Sequence, residues 1–259
     1  MRLILLLITL FIIRMLFAES DSLHIDKLQH KRIKFLKSRY FTESVVPLSL
    51  AAGSLTIMAI PNLKVKLQEK LDWNTSKIKQ ADGTYIPNPK NIDMGEDYIR
   101  YAPTVAAYTL GFCGLKSKHR FVDKTIVLAM SYILSDFIVN NTKKLTKELR
   151  PLGDQNNSFP SQHTAMAFVG ATFLDHELGD VSPWISVAGY ATAGYVGYCR
   201  IARNAHWTND VLMGAAVGIL STHATYWAYD GVVKLFPKQL TVTPLVSPEV
   251  NGVYLSYTF

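Results

Sequence analysis

Residues 160–169 read Pro160-Ser161-Gln162-His163-Thr164-Ala165-Met166-Ala167-Phe168-Val169, and the apolar run continues to about 178. Pro160 and Ser161 mark a helix start, with Ser161 as the N-cap. The body that follows is long enough for a helix and too long for an ordinary strand. A helix N-terminus offers unpaired backbone N–H groups and the positive end of a dipole, a place for an anion. His163 sits one or two residues inside that end. Taken alone, Ser161 is an ordinary cap and His163 an ordinary surface histidine.

Outward from this stretch the same pattern recurs. Apolar runs cover about 45–63, 101–115, 122–140, 162–178, 184–200 and 210–229. Several are rich in Ala, Gly, Thr and Tyr, as in Trp184 to Gly197, and small residues let helices pack closely. The expected fold is all-α, a six-helix core bundle. Between the first two runs, Lys64 to Asp97 is polar and carries Asn, Asp, Gly and Pro. It reads as one long loop, with 64–99 as its span, and loops of that length are usually lids or disordered.

Two further motifs flank residues 160–169. Upstream, Lys143 and Arg150 are seven apart, about two helical turns, so a helix through both puts two cations on one face. Pro151 ends that helix at Arg150. By itself this is an ordinary basic helix end, since Lys144 and Lys147 crowd the stretch. Downstream, Arg200 precedes His206 and Asp210, which are four apart and can meet across one helical turn. A carboxylate on one imidazole nitrogen fixes the tautomer and leaves the other nitrogen to attack. A metal-binding pair, or no contact, are the other readings of that spacing.

The two ends differ from the middle. Residues 3–18 are almost wholly apolar after Arg2, and Ala18-Glu19-Ser20 is a small-x-small site. Residues 1–20 read as a secretory signal peptide or an N-terminal anchor. Residues 21–44 read as a basic amphipathic helix, with Lys27, Lys31, Arg32, Lys34, Lys37 and Arg39 among Leu23, Ile25, Leu28, Ile33 and Leu36. Residues 45–235 form the helical domain. In 236–259, Val253, Leu255, Tyr257 and Phe259 alternate with polar or smaller residues, and Leu240 to Val246 is a second candidate strand. A small β-hairpin tail is expected there.

Composition limits the classes. Across 259 residues, hydrophobic residues are 49% and charged residues 18%, which excludes a disordered chain and a coiled coil. Two cysteines, Cys113 and Cys199, exclude a disulfide scaffold and a Cys-rich metal site. Both lie in apolar stretches and are expected as buried free thiols. The formal charge of +7 favours an anionic partner. The first 18 residues supply more than the whole positive balance of the mean hydropathy, +0.12, so the remainder averages near zero.

Together, Lys143-x6-Arg150-Pro151, Pro160-Ser161-Gln162-His163 and Cys199-Arg200-x5-His206-x3-Asp210 resemble the signature of the type 2 phosphatidic acid phosphatase superfamily. That superfamily also holds class A acid phosphatases and vanadium haloperoxidases. The resemblance covers about residues 100–230. Gln162 stands where the family usually has Gly, and Cys199 where it usually has Ser. The resemblance implies a helical phosphatase domain and a role for each matching residue. His206 would attack phosphorus and form a phosphohistidine, and Asp210 would orient it. His163 would protonate the leaving oxygen and then activate water. Lys143, Arg150, Ser161 and Arg200 would hold the phosphate oxygens. No cofactor and no metal are expected.

All three motifs are expected at one end of the bundle, with the 64–97 loop over them. The implied substrate is a phosphorylated lipid at an anionic membrane surface of a bacterial envelope, with the site facing the periplasm. Phosphatidic acid, phosphatidylglycerol phosphate, undecaprenyl diphosphate and lipid A fit that class. A soluble periplasmic acid phosphatase and, more remotely, a vanadate-dependent haloperoxidase are the alternatives. A nucleic-acid partner is not expected, because the His and Asp spacing has no use in it. Oligomeric state is left open.

Overall fold

A computed structural model of the chain describes residues 39–71, 77–79, 85–87, 95–235, 240–246 and 251–257. The apolar leader, residues 1–20, and residues 21–38 of the basic segment lie outside the described residues. The chain divides into two units, Met1–Val45 and Val46–Phe259. In the first, the described part is the opening of helix α1, Arg39–Ala59, which then runs on into the second. Among the described residues, one helix, Tyr40–Ala59, is long and apolar enough to cross a membrane.

The second unit is mainly helical. Helix α2 (Pro61–Leu71) is followed by strands β1 (Lys77–Lys79) and β2 (Tyr85–Pro87), then helices α3 (Glu96–Ile99), α4 (Ala102–Phe112), α5 (Phe121–Thr146), α6 (Gln162–Leu178), α7 (Pro183–Ala202) and α8 (Thr208–Leu235). Strands β3 (Leu240–Val246) and β4 (Asn251–Tyr257) pair antiparallel, with Leu240 opposite Tyr257. The six apolar runs correspond to α1 and α4 to α8.

The expected loop over 64–99 is the main departure. Helix α2 fills its first part, β1 pairs antiparallel with β2 with Ile78 opposite Ile86, and α3 closes it. Leu63, Leu67 and Leu71 recur every four residues and make a helical stripe. The surrounding Lys64, Lys66, Glu69 and Lys70 hide that stripe from a composition reading. Gln68, on α2, is buried and donates to the carbonyl of Ile201 at 3.0 Å and to Asn204 Oδ1 at 2.8 Å.

Helix α6 is the centre of the bundle and packs on α4, α5, α7 and α8. Ala165, Ala167, Val169, Ala171 and Phe173 on it are buried. The close approach of α8 depends on glycine. A Cβ on Gly214 would lie 2.5 Å from the Ser161 carbonyl oxygen, and one on Gly218 would lie 2.3 Å from that of Ala165. No side chain fits there, so small residues bring the start of α8 against the start of α6.

At the far end of α6 a polar network closes the core. Glu177 accepts from the Tyr226 hydroxyl at 2.7 Å, pairs with His119 Nδ1 at 2.7 Å, and His176 Nε2 meets His223 Nδ1 at 2.8 Å. These contacts hold the α4–α5 connection against α6 and α8. Both cysteines are free, but only Cys199 is buried; Cys113 is exposed at the end of α4, which corrects the expected burial of both.

Several helices carry apolar residues on their outer faces. On α5, Val122, Ile126, Met130, Ile133 and Phe137 are all more than half exposed and follow one stripe. Trp184 and Val187 on α7, and Val105 and Phe112 near α4, are also exposed. Contiguous apolar surface of this kind marks contact with another apolar phase or partner.

Candidate active site

Helix α5 ends at Thr146, earlier than the sequence reading places it. Lys147 takes a left-handed C-cap at φ 47°, and Arg150 lies in the following loop. Lys143 and Arg150 therefore do not share a helix face. Asn157 brings them together instead. Its carbonyl accepts from Lys143 Nζ, and its side-chain Oδ1 accepts from Arg150 Nε at 3.0 Å.

Ser161 occupies the N-cap position of α6, as expected, yet its hydroxyl makes no capping bond. It accepts from Thr164 Oγ1 at 2.9 Å, while the Ser161 N–H donates to the Asp210 carbonyl at 3.0 Å. That bond ties the start of α6 to the start of α8. Gln162 turns outward and donates to Asp136 on α5. The Gln in place of Gly thus leaves the helix start uncrowded. Cys199 pairs with Tyr195, one turn back on α7.

His206 lies in the tight α7–α8 connection, whose shape is set by the backbone. The N–H groups of Ala205 and His206 both donate to the Arg200 carbonyl, and Asn204 adopts φ 54°. His206 is almost fully buried, with Nδ1 3.4 Å from Asp210 Oδ2. Asp210 is fully buried and well supplied with donors. Its Oδ2 accepts from the Ser158 hydroxyl and from the Trp207 N–H at 2.9 Å, and its Oδ1 accepts from Asn209 at 3.0 Å.

Electrostatics set the protonation states. Burial, then the charges of Arg200, Lys143 and Arg150, hold the His206 imidazole well below its ordinary range, so it is neutral near pH 7. Burial pushes the Asp210 carboxyl up to about 6, against the lowering effect of Ser158 and Trp207. Burial, with Arg150 and Arg200, brings Lys143 down to about 8. Burial, Arg200 and Arg100 bring His163 down to about 4, although Asp97 opposes them.

All seven residues singled out in the sequence lie at one end of the bundle. Lys143, Arg150 and Arg200 are near enough to shift His206, and Arg200 is near enough to shift His163. Arg200 is buried and pairs with Glu96 through Nη1 at 3.1 Å, while its Nε has no partner among the described residues. Two neutral imidazoles, a carboxylate and three cations at a helix start can bind a tetrahedral oxyanion and exchange a group on it.

Sequence reasoning missed several participants. Ser158 and Asn157 lie just upstream of Pro160, and Glu96 and Asp97 lie in what reads as loop. Lys64, on α2, pairs with Glu148 and places Nζ 4.2 Å over the Trp207 ring. The one local signal was the acidic pair Glu96-Asp97 ahead of an apolar run.

Residues 124–234 match the PAP2 superfamily. A curated relative, the lipid A 1-phosphatase of Porphyromonas gingivalis, is 43% identical over 136 residues, which are 52% of this chain and 31% of the relative. The chain thus spans about a third of the length of the curated relative it matches. A crystal structure of Aquifex aeolicus LpxE aligns with a TM-score of 0.45 and 24% identity, over 64% of this chain and 95% of that one.

Proposed function

We propose that the protein is a phosphatase that removes phosphate from a lipid phosphomonoester or diphosphate through a phosphohistidine on His206. The observation that carries this is the state of His206. It is buried and neutral, with a carboxylate at Nδ1 and three cations around it. Neutral Nε2 is then the nucleophile.

Lys143, Arg150 and Arg200 hold the equatorial oxygens, with backbone N–H groups at the start of α6. Nε2 of His206 forms the P–N bond as the P–O bond breaks to the leaving group, the alcohol of a monoester or the lipid monophosphate of a diphosphate. The leaving oxygen takes a proton from His163. Asp210 stabilises the imidazolium character that His206 gains. In the second step His163 takes a proton from water, whose oxygen attacks phosphorus. The P–N bond breaks, and phosphate and neutral His206 are released. A dianionic substrate raises the proton affinity of His163, so it arms the acid that the free site holds neutral. The three cations supply the charge that a metal supplies elsewhere, so turnover in EDTA is part of this reading.

Three observations support a lipid substrate. The apolar stripe of α5 lies on the outer surface, helix Tyr40–Ala59 is suited to a bilayer, and the similar curated protein is a lipid A 1-phosphatase. Lipid A is therefore the first substrate to test, with the site at the extracytoplasmic face of a bacterial envelope membrane. The test is phosphate release by purified protein in detergent with EDTA, wild type beside His206→Ala. The panel holds lipid A, phosphatidic acid, undecaprenyl diphosphate and p-nitrophenyl phosphate. Release from a lipid that vanishes in the variant is expected. Equal release by both proteins contradicts the proposal, and release from the soluble ester alone moves the substrate to small phosphomonoesters.

A further inference from the structure

We infer that Asp97 is a positioning residue for His163, holding its ring so that Nδ1 meets the oxygen of the departing alcohol. The inference rests on the phosphatase reading above and adds to it a residue outside both the sequence motifs and the matched domain, which begins at residue 124.

The contact is direct. His163 Nε2 lies 2.6 Å from Asp97 Oδ1. In the neutral ring, an N–H at Nε2 directed to the carboxylate leaves Nδ1 as the nitrogen that exchanges protons with substrate and water. The ring keeps 24% of its surface exposed, and a hydrogen bond at one nitrogen aims the other.

The position of Asp97 is itself fixed. It belongs to α3, a single turn that begins at Gly95, whose φ of 71° suits glycine and turns the chain into the helix. The neighbouring Glu96 is fully buried and pairs with Arg200 at 3.1 Å and with Arg203. Two adjacent carboxylates thus divide the work. Glu96 locks α3 to the end of α7, and Asp97 reaches from that anchored turn to the start of α6. The charged groups that face His163 are Asp97 and Arg100 from the α3 turn and Arg200 from α7. Of these, only Asp97 favours the imidazolium that must give up the proton.

The test uses leaving groups. An alkyl phosphate needs its leaving oxygen protonated, whereas p-nitrophenolate departs without help. The full chain in detergent is assayed as wild type, Asp97→Asn, Asp97→Glu and His206→Ala, with kcat/KM measured on a long-chain alkyl phosphate and on p-nitrophenyl phosphate. General acid catalysis is worth about 10²–10⁴-fold, so misplacing the acid is expected to cost roughly 10- to 100-fold on the alkyl ester and far less on the aryl ester. Asp97→Glu should recover part of the alkyl activity. Equal losses on both esters, or no loss on either, overturn this inference while leaving His206-dependent turnover intact. Activity that survives His206→Ala overturns the phosphatase reading and this inference with it.

Discussion

The hydroxyl of Ser158 donates to Oδ2 of Asp210, the same oxygen that lies 3.4 Å from Nδ1 of His206. One carboxylate oxygen therefore serves a serine from the loop before α6 and the histidine before α8. Ser158 favours the ionised carboxylate, and burial opposes it.

Ser158→Ala should therefore raise the Asp210 carboxyl further above its present value of about 6. The ionised form supports His206, so the acid limb of the kcat/KM profile should move to higher pH. Loss of one hydrogen bond to a charged group corresponds to about one to two pH units. A rate profile from pH 4 to 9 checks this, and an unmoved acid limb would detach that limb from Asp210.

His206→Ala should lower turnover by at least about 10⁴-fold, as loss of a nucleophile does. His163→Ala should behave differently with p-nitrophenyl phosphate. The first step needs no acid, but the second loses its base, and the phosphoenzyme accumulates. Stopped-flow absorbance should show a burst of nitrophenolate near one equivalent, and an acid-labile, alkali-stable phosphoprotein should be trapped. A linear trace in the variant argues against His163 as the base.

Anion binding should take up protons. Lys143 is brought down to about 8, so near pH 8 it is about half deprotonated in the free site. Sulfate does not titrate there, and its charge raises the lysine again. Binding should consume a fraction of a proton and weaken as pH rises above 8. Calorimetry in buffers of different ionisation enthalpy measures this directly, and heat independent of buffer would contradict it.

Gly214 and Gly218 should not tolerate a methyl group. Each Cβ would press on a carbonyl of α6 or its cap, and overpacking of this kind costs about 1–3 kcal/mol. Gly214→Ala should also cut activity, because it displaces Ser161. Gly194 on α7 has nothing within 4 Å, so Gly194→Ala should raise the unfolding temperature through helix propensity. Thermal unfolding of the three variants in detergent compares them. A fall at Gly194 equal to that at Gly214 would contradict the packing account.

Gln162→Gly restores the residue usual at that position, but the Gln162 amide already points to Asp136. Its effect on kcat/KM should stay within about twofold, as for a surface substitution. A gain of tenfold or more would place the Gln side chain in the phosphate site.

Much of this was legible in the chain. The runs that became α4 to α8 appear as apolar stretches because helix formation and burial are written in local composition and periodicity. The types of His206, Asp210, His163, Lys143, Arg150 and Arg200 state their chemistry, and the spacing of His206 and Asp210 allows the 3.4 Å approach that the fold makes. Helix α2 was missed because its leucine stripe is embedded in lysines.

What remained needed the tertiary structure. The end of α5 at Thr146 is set by a left-handed Lys147 that no spacing announces, and only then does Asn157 emerge as the residue joining Lys143 to Arg150. Asp97 lies 66 residues from His163, and Glu96 lies 104 from Arg200. Ser158 lies 52 from Asp210. Sequence alone determined which groups can perform the chemistry, because reactivity belongs to the residue type. Which groups aim, anchor and charge them was decided by packing, because hydrogen bonds and desolvation depend on neighbours that the chain brings together only when α3, α6, α7 and α8 meet.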